Sequence, residues 1–527
     1  MHSCLRTPEI VTTICSLVAY VEDPLWNPNS TRLKNRSLYA LARTCKAFEE
    51  PALDELYCEV RCIGQLFMCL PRSLWMTHVL GKKCEGASKV FQFQRKMTRN
   101  DWEILAKYLP RVRRLVIGIN DTVRIDPIAF AAIQSHCGDA LFPRLHDLSI
   151  SFKCELHDDL YPLLLSGPCF RATALHTLLI QDMSPQSFSL VISLIHHSRE
   201  TLQSLLIDSY STKAHGWEEL SDRLRVSAQQ MLRLTSLDLR IPDTSAQRAF
   251  LSTFGVPPSL EHLTLETCHY RSGRPVPATP APTIPLRKVT SLELRGDSST
   301  IENAVRHWLP DMDSLTSLRV QLDGGKRGPP LIALAEKFHK TTKSIHLTYH
   351  EYTNMYISML HPLFQFRSLT ELHVFMGEVN PFTNDELVCL VKGLPLLERF
   401  SLETVFLPEA TLRGLGQLLQ ACPQLKHLKT GIDITEASNA DYGLSTLGLC
   451  SLALTSWQVS GSMIDSVEFA ARHISRMVPH LHKLTWSDEP CNVAKEEELE
   501  WERVNALLAF HRKASQEYQI AVKGIVV

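Results

Sequence analysis

The sequence predicts an α/β solenoid in which one strand and one helix recur along most of the chain. The first observation is the stretch Leu260-Glu-His-Leu263-Thr-Leu265, which reads L-x-x-L-x-L and ends in the apolar/polar alternation of a half-buried strand. The second is its recurrence. Copies stand at Val112/Leu115/Ile117, Leu145/Leu148/Ile150, Leu175/Leu178/Ile180, Leu202/Leu205/Ile207 and Leu234/Leu237/Leu239. They continue at Val289/Leu292/Leu294, Leu315/Leu318/Val320, Leu369/Leu372/Val374, Leu397/Phe400/Leu402, Leu449/Leu452/Leu454 and Leu481/Leu484/Trp486, with degenerate copies at Ile345/Leu347 and Leu425/Leu428. The third is their spacing of about 28 residues, a period characteristic of strand-plus-helix repeat stacks.

That motif and period are those of leucine-rich repeats, so the expected architecture is a right-handed leucine-rich-repeat solenoid, a horseshoe with parallel strands on its concave face. Ordering about 28 residues costs more backbone entropy than one repeat's apolar side chains offset, so neighbours must stabilise one another. Length agrees, because 527 residues exceed what a single compact core accommodates. A net charge of −1 gives no global attraction to nucleic acid or anionic membrane, and no window has eighteen uninterrupted apolar residues. The 15 cysteines form no C-x-x-C framework and no export signal precedes them, which points to an intracellular, cytoplasmic or nuclear protein.

Taken in order, residues 1–58 form a separate helical segment. Ile10, Val11, Ile14 and Leu17 have helical spacing, Asn27-Pro-Asn-Ser30 reads as a polar loop, and Leu38, Leu41, Cys45 and Phe48 make a second stripe. Glu50-Pro51 then restarts a helix, with proline at a first helical position. Helices this short bury little, so they require a partner or a neighbouring domain. The segment resembles an F-box, the L-P-x-E-I-L-x-x-I…L-x-x-L-x-x-V-C-x-x-W pattern, in its fungal-type variant. Glu9, Ile10, Val11 and Ile14 occupy the first half; Leu38, Leu41, Cys45 and Phe48 occupy the second, with Thr44 for valine and Phe48 for tryptophan. Pro8 sits directly before Glu9, where the family has its proline one place earlier, and the spacer before Leu38 is long. The resemblance implies that Pro8, Glu9, Ile10, Ile14, Leu17, Leu38, Leu41, Cys45 and Phe48 contact a Skp-type adaptor of a cullin ubiquitin ligase core.

Residues 59–110 read as a transitional, capping segment, with loops at Leu70–Trp75 and residues 82–88, a short strand at Phe91–Phe93, and a helix opened by Thr98 or Asn100. Residues 111–487 carry about fourteen repeats. In each, a capped helix precedes the strand: Ser184 with Pro185 before Leu202, Thr383 before Leu397, Pro408 before Leu425. Only Cys268 fills the Asn/Cys place after a strand. Two loops interrupt the stack. Residues 274–285 are proline-rich and read as an exposed linker, and residues 324–330 lack the order of a phosphate loop. Residues 488–527 are an acidic capping helix and tail, with Val504, Leu507 and Leu508 on its apolar side.

No catalytic motif, cofactor fingerprint or metal signature appears. His346 and His350 have a chelating interval only on a helix, and strand residues four apart stand about 13 Å from each other. The informative positions are those between the paired apolar residues of each strand, which face away from the core. They run Val116, Ser149, Leu179, Leu206, Asp238, Thr264, Glu293, Arg319, His346, His373, Ser401, Lys429, Ala453 and Thr485. Arg319, His346, His373 and Lys429 form a basic or ionisable stretch that would hold an acidic segment of a protein substrate, strengthening towards pH 6. The expected function is the substrate-recognition adaptor of an SCF-type ubiquitin ligase, non-catalytic, without cofactor, nucleic-acid or membrane partners. The alternatives are a leucine-rich-repeat scaffold whose N-terminal helices merely cap it, and an enzyme or GTPase regulator acting from the concave rim.

Overall fold

The computed structural model describes residues 7–19, 28–79, 89–118, 123–137, 140–152, 174–183, 187–209, 217–241, 247, 250–251, 257–266, 286–307, 309–322, 330–349, 357–377, 382–404, 408–435, 438, 451–459, 461–486 and 495–525. It divides into two compact units, Met1–Leu260 and Glu261–Val527.

The first unit opens with three helices, α1 (Pro8–Ala19), α2 (Pro28–Ala42) and α3 (Lys46–Tyr57). Val11, Cys15, Leu38, Phe48 and Ala52 close a small core, with Ile14, Val18, Leu41, Cys45 and Leu56 packed against it. Two boundaries differ from expectation. Pro28 begins α2 where a loop was expected, since proline's fixed φ and missing N–H suit a first helical turn. Pro51 lies inside α3. That helix starts earlier because the Phe48 and Glu49 amides both bond back to the Cys45 carbonyl, which places Phe48 in the core.

Strand β1 (Glu59–Val60) leads the chain into the repeats. The segment expected only to be transitional contains a second, small sheet. β2 (Trp75–Val79) runs antiparallel to β3 (Lys89–Phe93), and β3 pairs in parallel with β5 (Val123–Ile125). Trp75, expected in a loop, begins β2, packs its ring 5.4 Å from Phe91 and donates its indole N–H to the Leu70 carbonyl at 2.8 Å. Phe67 and Phe130 complete this aromatic core. Gly64 faces the Val123 carbonyl, where any side chain would collide with backbone.

Helix Arg99–Ala106 starts where Thr98 was expected to cap it. The Thr98 hydroxyl accepts from the Asp101 amide, and the Asp101 carboxylate accepts from the Thr98 amide at 2.8 Å, a reciprocal capping box. Arg95 also grips both oxygens of this buried carboxylate, at 2.6 and 2.9 Å, and holds its pKa well below the usual range. Thr98→Ala is expected to cost about 1 kcal/mol in chemical denaturation. Because Asp101's pKa is depressed by folding, its contribution is complete above about pH 4 and falls away with further acidification.

The repeat strands of the first unit are β1, β4 (Arg114–Ile117), β6 (Asp147–Ser151), β7 (Thr177–Gln181), β8 (Ser204–Asp208) and β9 (Ser236–Arg240), parallel and in that spatial order. Those of the second unit are β10 (His262–Glu266), β11 (Ser291–Gly296), β12 (Ser317–Leu322), β13 (Ser344–Tyr349), β14 (Glu371–Met376), β15 (Arg399–Thr404), β16 (His427–Thr430), β17 (Ser456–Gln458) and β18 (Lys483–Thr485), again parallel and in sequence order. Equivalent residues pair: Leu263 with Leu292, then Leu318, Ile345, Leu372, Phe400, Leu428, Trp457 and Leu484. All are buried, and this continuous apolar row is what neighbouring repeats share. The fold is the leucine-rich-repeat solenoid.

One repeat was misaligned by its sequence. Leu452 is 66% exposed, and the triplet that occupies the core is Leu454/Trp457/Val459. Trp457 fills the place of the middle leucine, and its indole N–H reaches the Thr430 carbonyl at 3.2 Å. Leu449 lies outside the described residues, as do Ser184, Pro185, Cys268, His350 and the loops 80–88, 267–285 and 323–329. The helix expected from Pro408 spans Leu412–Ala421, and the final helix, Lys495–Ile525, buries Trp501, Val504 and Leu508, with Leu507 half-buried. No helix among the described residues is long and apolar enough to cross a membrane.

Candidate functional site

Two surfaces carry the residues singled out by the sequence. On the N-terminal helices those residues separate into two classes. Leu38 and Phe48 are buried, and Ile14, Leu41 and Cys45 are half-buried against the same core. Pro8, Glu9, Ile10 and Leu17 are exposed, Ile10 by 39% and Leu17 by 69%. Ile10 and Leu17 are seven residues apart, two helical turns, so they lie on one stripe of α1. Tyr39, which the sequence reading passed over, is 55% exposed on α2 under the Arg43 guanidinium. The far side of α3 is tied to the first repeats: Arg111 pairs with Glu50 and Asp54, and the Tyr57 and Tyr108 rings lie 4.8 Å apart.

The second surface is the strand face opposite the buried leucines. In the first unit Val116, Ser149, Leu179, Leu206 and Asp238 pair in one half-buried row. In the second unit Thr264, Glu293, Arg319, His346, His373, Ser401, Lys429, Gln458 and Thr485 pair in another. The strand shift at β17 puts Gln458, in place of Ala453, on this face. Arg319, His346, His373 and Lys429 are thus brought into one row, with Ser401 buried between the last two.

The row is not the basic strip that the sequence suggested. A strand repeats every two residues, so positions flanking the row share its face and carry acids. Lys429 Nζ is 2.7 Å from Glu403, which also accepts from Ser401 at 3.0 Å. Arg295 bonds Glu293 at 2.9 Å and Glu266 at 3.4 Å, and Arg240 pairs with Asp238 at 3.0 Å. Glu371 lies 3.0 Å from His373 Nε2 and 3.7 Å from Arg399. Its own burial would raise its pKa, but hydrogen bonds from His373 and Ser344 outweigh that and lower it.

The two histidines stack, with ring centroids 4.2 Å apart and planes 7° from parallel. Burial, then the neighbouring His373 and Arg319, push the His346 pKa down to about 4. His346 is therefore neutral at pH 6 and cannot supply the acid-strengthened binding expected of it; burial was invisible in the one-dimensional pattern. Glu371, Glu403 and Arg399 were missed because only the central residue of each strand was read. Applying the two-residue strand period to the aligned repeats would have found them.

No protein-family model matches the chain, and no curated protein matches it. Among solved structures, it is similar to a chain of the Rad7 and Elc1 complex of yeast, at 13% identity over 87% of this chain and 89% of that one, TM-score 0.30. It is also similar to the leucine-rich repeat-containing protein LegL7 of Legionella pneumophila, at 15% identity over 58% and 90%, TM-score 0.30. A leucine-rich-repeat protein of Leptospira interrogans shares 13% identity over 74% and 93%, TM-score 0.31. The fold assignment rests on the strand register and burial of this chain. A repeat scaffold that presents a broad polar strand face supports a protein-interaction role and implies protein partners.

Proposed function

We propose that the chain is the substrate-recognition adaptor of an SCF-type cullin ubiquitin ligase. Its N-terminal helices bind a Skp-type adaptor, and its repeats hold a protein substrate on the strand face. It performs no catalytic step; its contribution is to bring a substrate lysine near a ligase bound elsewhere. The observation that carries this reading is the division of apolar residues on α1–α3. Enough of them close a core, yet Ile10, Leu17 and Tyr39 remain exposed on a bundle too small to waste apolar surface. A second reading, a repeat scaffold whose helices only cap it, is favoured by the Arg111 pairs with Glu50 and Asp54. Those contacts occupy α3 and leave the α1 stripe uncovered, which favours the adaptor.

The test uses Ile10→Asp with Leu17→Asp in the full chain, and a purified Skp-type adaptor. Ile14 and Leu41 are unsuitable, because a carboxylate there would enter the core of the bundle. The wild type is expected to co-elute with the adaptor and the variant to lose that binding, with unchanged helical circular dichroism. A wild type that fails to bind, or a variant that binds equally well, leaves the capping scaffold as the function.

A further inference from the structure

His346 on β13 and His373 on β14 are register partners, and Glu371 stands two residues before His373 on the same face. One ligand atom from each of the three can be chosen so that all lie within 4.8 Å of one another. Within one strand the interval between histidines is too long for a shared ion. The relevant interval is one repeat, which parallel pairing converts into adjacency at about 4.8 Å.

We infer that His346, Glu371 and His373 form a binding site for one divalent borderline cation, Zn2+ foremost. Zinc takes imidazole nitrogen and carboxylate oxygen at about 2.0–2.2 Å, so tetrahedral ligand atoms stand about 3.3 Å from each other. His373 Nε2 and Glu371 Oε1, at 3.0 Å, already have that separation. His346 closes the remaining gap by turning about its outer torsion, which is broad for histidine. Both rings are half-buried, and the turn exchanges their stacking contact for a shared ligand bond.

Two imidazoles and a carboxylate with a fourth position open to solvent form a recognised zinc donor set. Groups behind the ligands are also in place: Ser344 hydrogen-bonds Glu371, and Arg399 stands 3.7 Å from it, which orients the carboxylate. The local charges oppose each other. Arg319 beside His346 disfavours a cation, while Glu371 and Glu293 favour one. Arg399 beside Glu371 and Arg295 on Glu293 add positive charge, so the ion would be held by its ligand bonds and not by a surplus of carboxylates. The inference is independent of whether the N-terminal helices bind an adaptor.

The probe is Co2+, added to the reduced full-length chain and followed by equilibrium dialysis and visible absorption. One saturable equivalent is expected, with ligand-field bands of nitrogen and oxygen ligation, no thiolate charge transfer, and displacement by Zn2+. His373→Ala and Glu371→Gln should each weaken binding by at least about tenfold. His361→Ala, whose ring contacts Cys389 on a different face, should leave it unchanged. His373→Gln serves if the alanine variant unfolds. Wild-type affinity in a His346→Ala/His373→Ala chain, a spectrum dominated by thiolate ligation, or binding weaker than about 1 mM would each overturn the site.

Discussion

Trp457→Ala is expected to destabilise the second unit by about 3–5 kcal/mol, the range for a buried aromatic cut to alanine. The indole is fully enclosed in β17 and lies in the shared apolar row between Leu428 and Leu484. Its removal opens a cavity against both neighbouring repeats and strips the Thr430 carbonyl of its 3.2 Å donor. Leu452→Ala is the control. The motif alone assigns Leu452 to the core, but its 66% exposure predicts a change within about 0.5 kcal/mol. Chemical denaturation of the two variants distinguishes the registers outright: a large loss at Leu452 with a small one at Trp457 would invert the alignment of that repeat.

This pair of residues also shows how far the repeat pattern carries. Where the middle apolar residue is leucine, isoleucine or phenylalanine, the strand, its neighbours and its buried face could be read directly, and Leu263, Leu292, Leu318, Leu372 and Phe400 are all buried as expected. The pattern failed where tryptophan took that place and a chance L-x-x-L-x-L lay a few residues upstream. Tertiary volume chose the aromatic, and a motif written in leucines cannot register that choice. The β2–β3–β5 sheet was hidden for a different reason. β5 comes from beyond the first repeat, so the pairing is long-range, and each strand is too short to show a period.

The candidate site was legible in position and illegible in charge. Parallel register follows from the repeat, so placing Arg319, His346, His373 and Lys429 in one row required only alignment. Their ionisation depends on what flanks them and on burial. Glu403 pairs with Lys429, and the enclosure of His346 moves it out of the physiological range. The same flanking positions supplied Glu371, which changes the chemistry available to the two histidines. On this face Lys429, Arg295 and Arg240 are matched by acids, and one histidine–carboxylate cluster stands among them.

Asn384→Ala is expected to cost about 2–4 kcal/mol, an unusual penalty for a polar residue in a first helical turn. The helix Leu412–Ala421 receives no side-chain bond from its own N-cap residue, Thr411. Asn384, at the start of the preceding repeat's helix Asn384–Lys392, supplies it instead. Its Oδ1 accepts from the Thr411 amide at 2.8 Å and the Gly414 amide at 3.1 Å, while Nδ2 donates to the Thr411 hydroxyl at 3.0 Å. Truncation therefore leaves two amides at a helix N-terminus without an acceptor, at about 1–3 kcal/mol each when buried. Asn384→Asp keeps the acceptor and adds charge that the helix dipole favours, so its cost should stay within about 1 kcal/mol. Gly414 is glycine because a Cβ there would stand 2.3 Å from Asn384 Oδ1. In the wild type Gly414→Ala should destabilise by about 1–3 kcal/mol through overpacking. In the Asn384→Ala chain the Oδ1 and Cγ obstruction is gone and only the residue-384 Cα, 3.2 Å away, stays close, so the cost of the same substitution should fall to within about 0.5 kcal/mol, helped by alanine being the better helix former. That loss of the penalty, measured as a double-mutant cycle, would establish that adjacent repeats are locked through this side chain; additive costs would show that the two positions act separately.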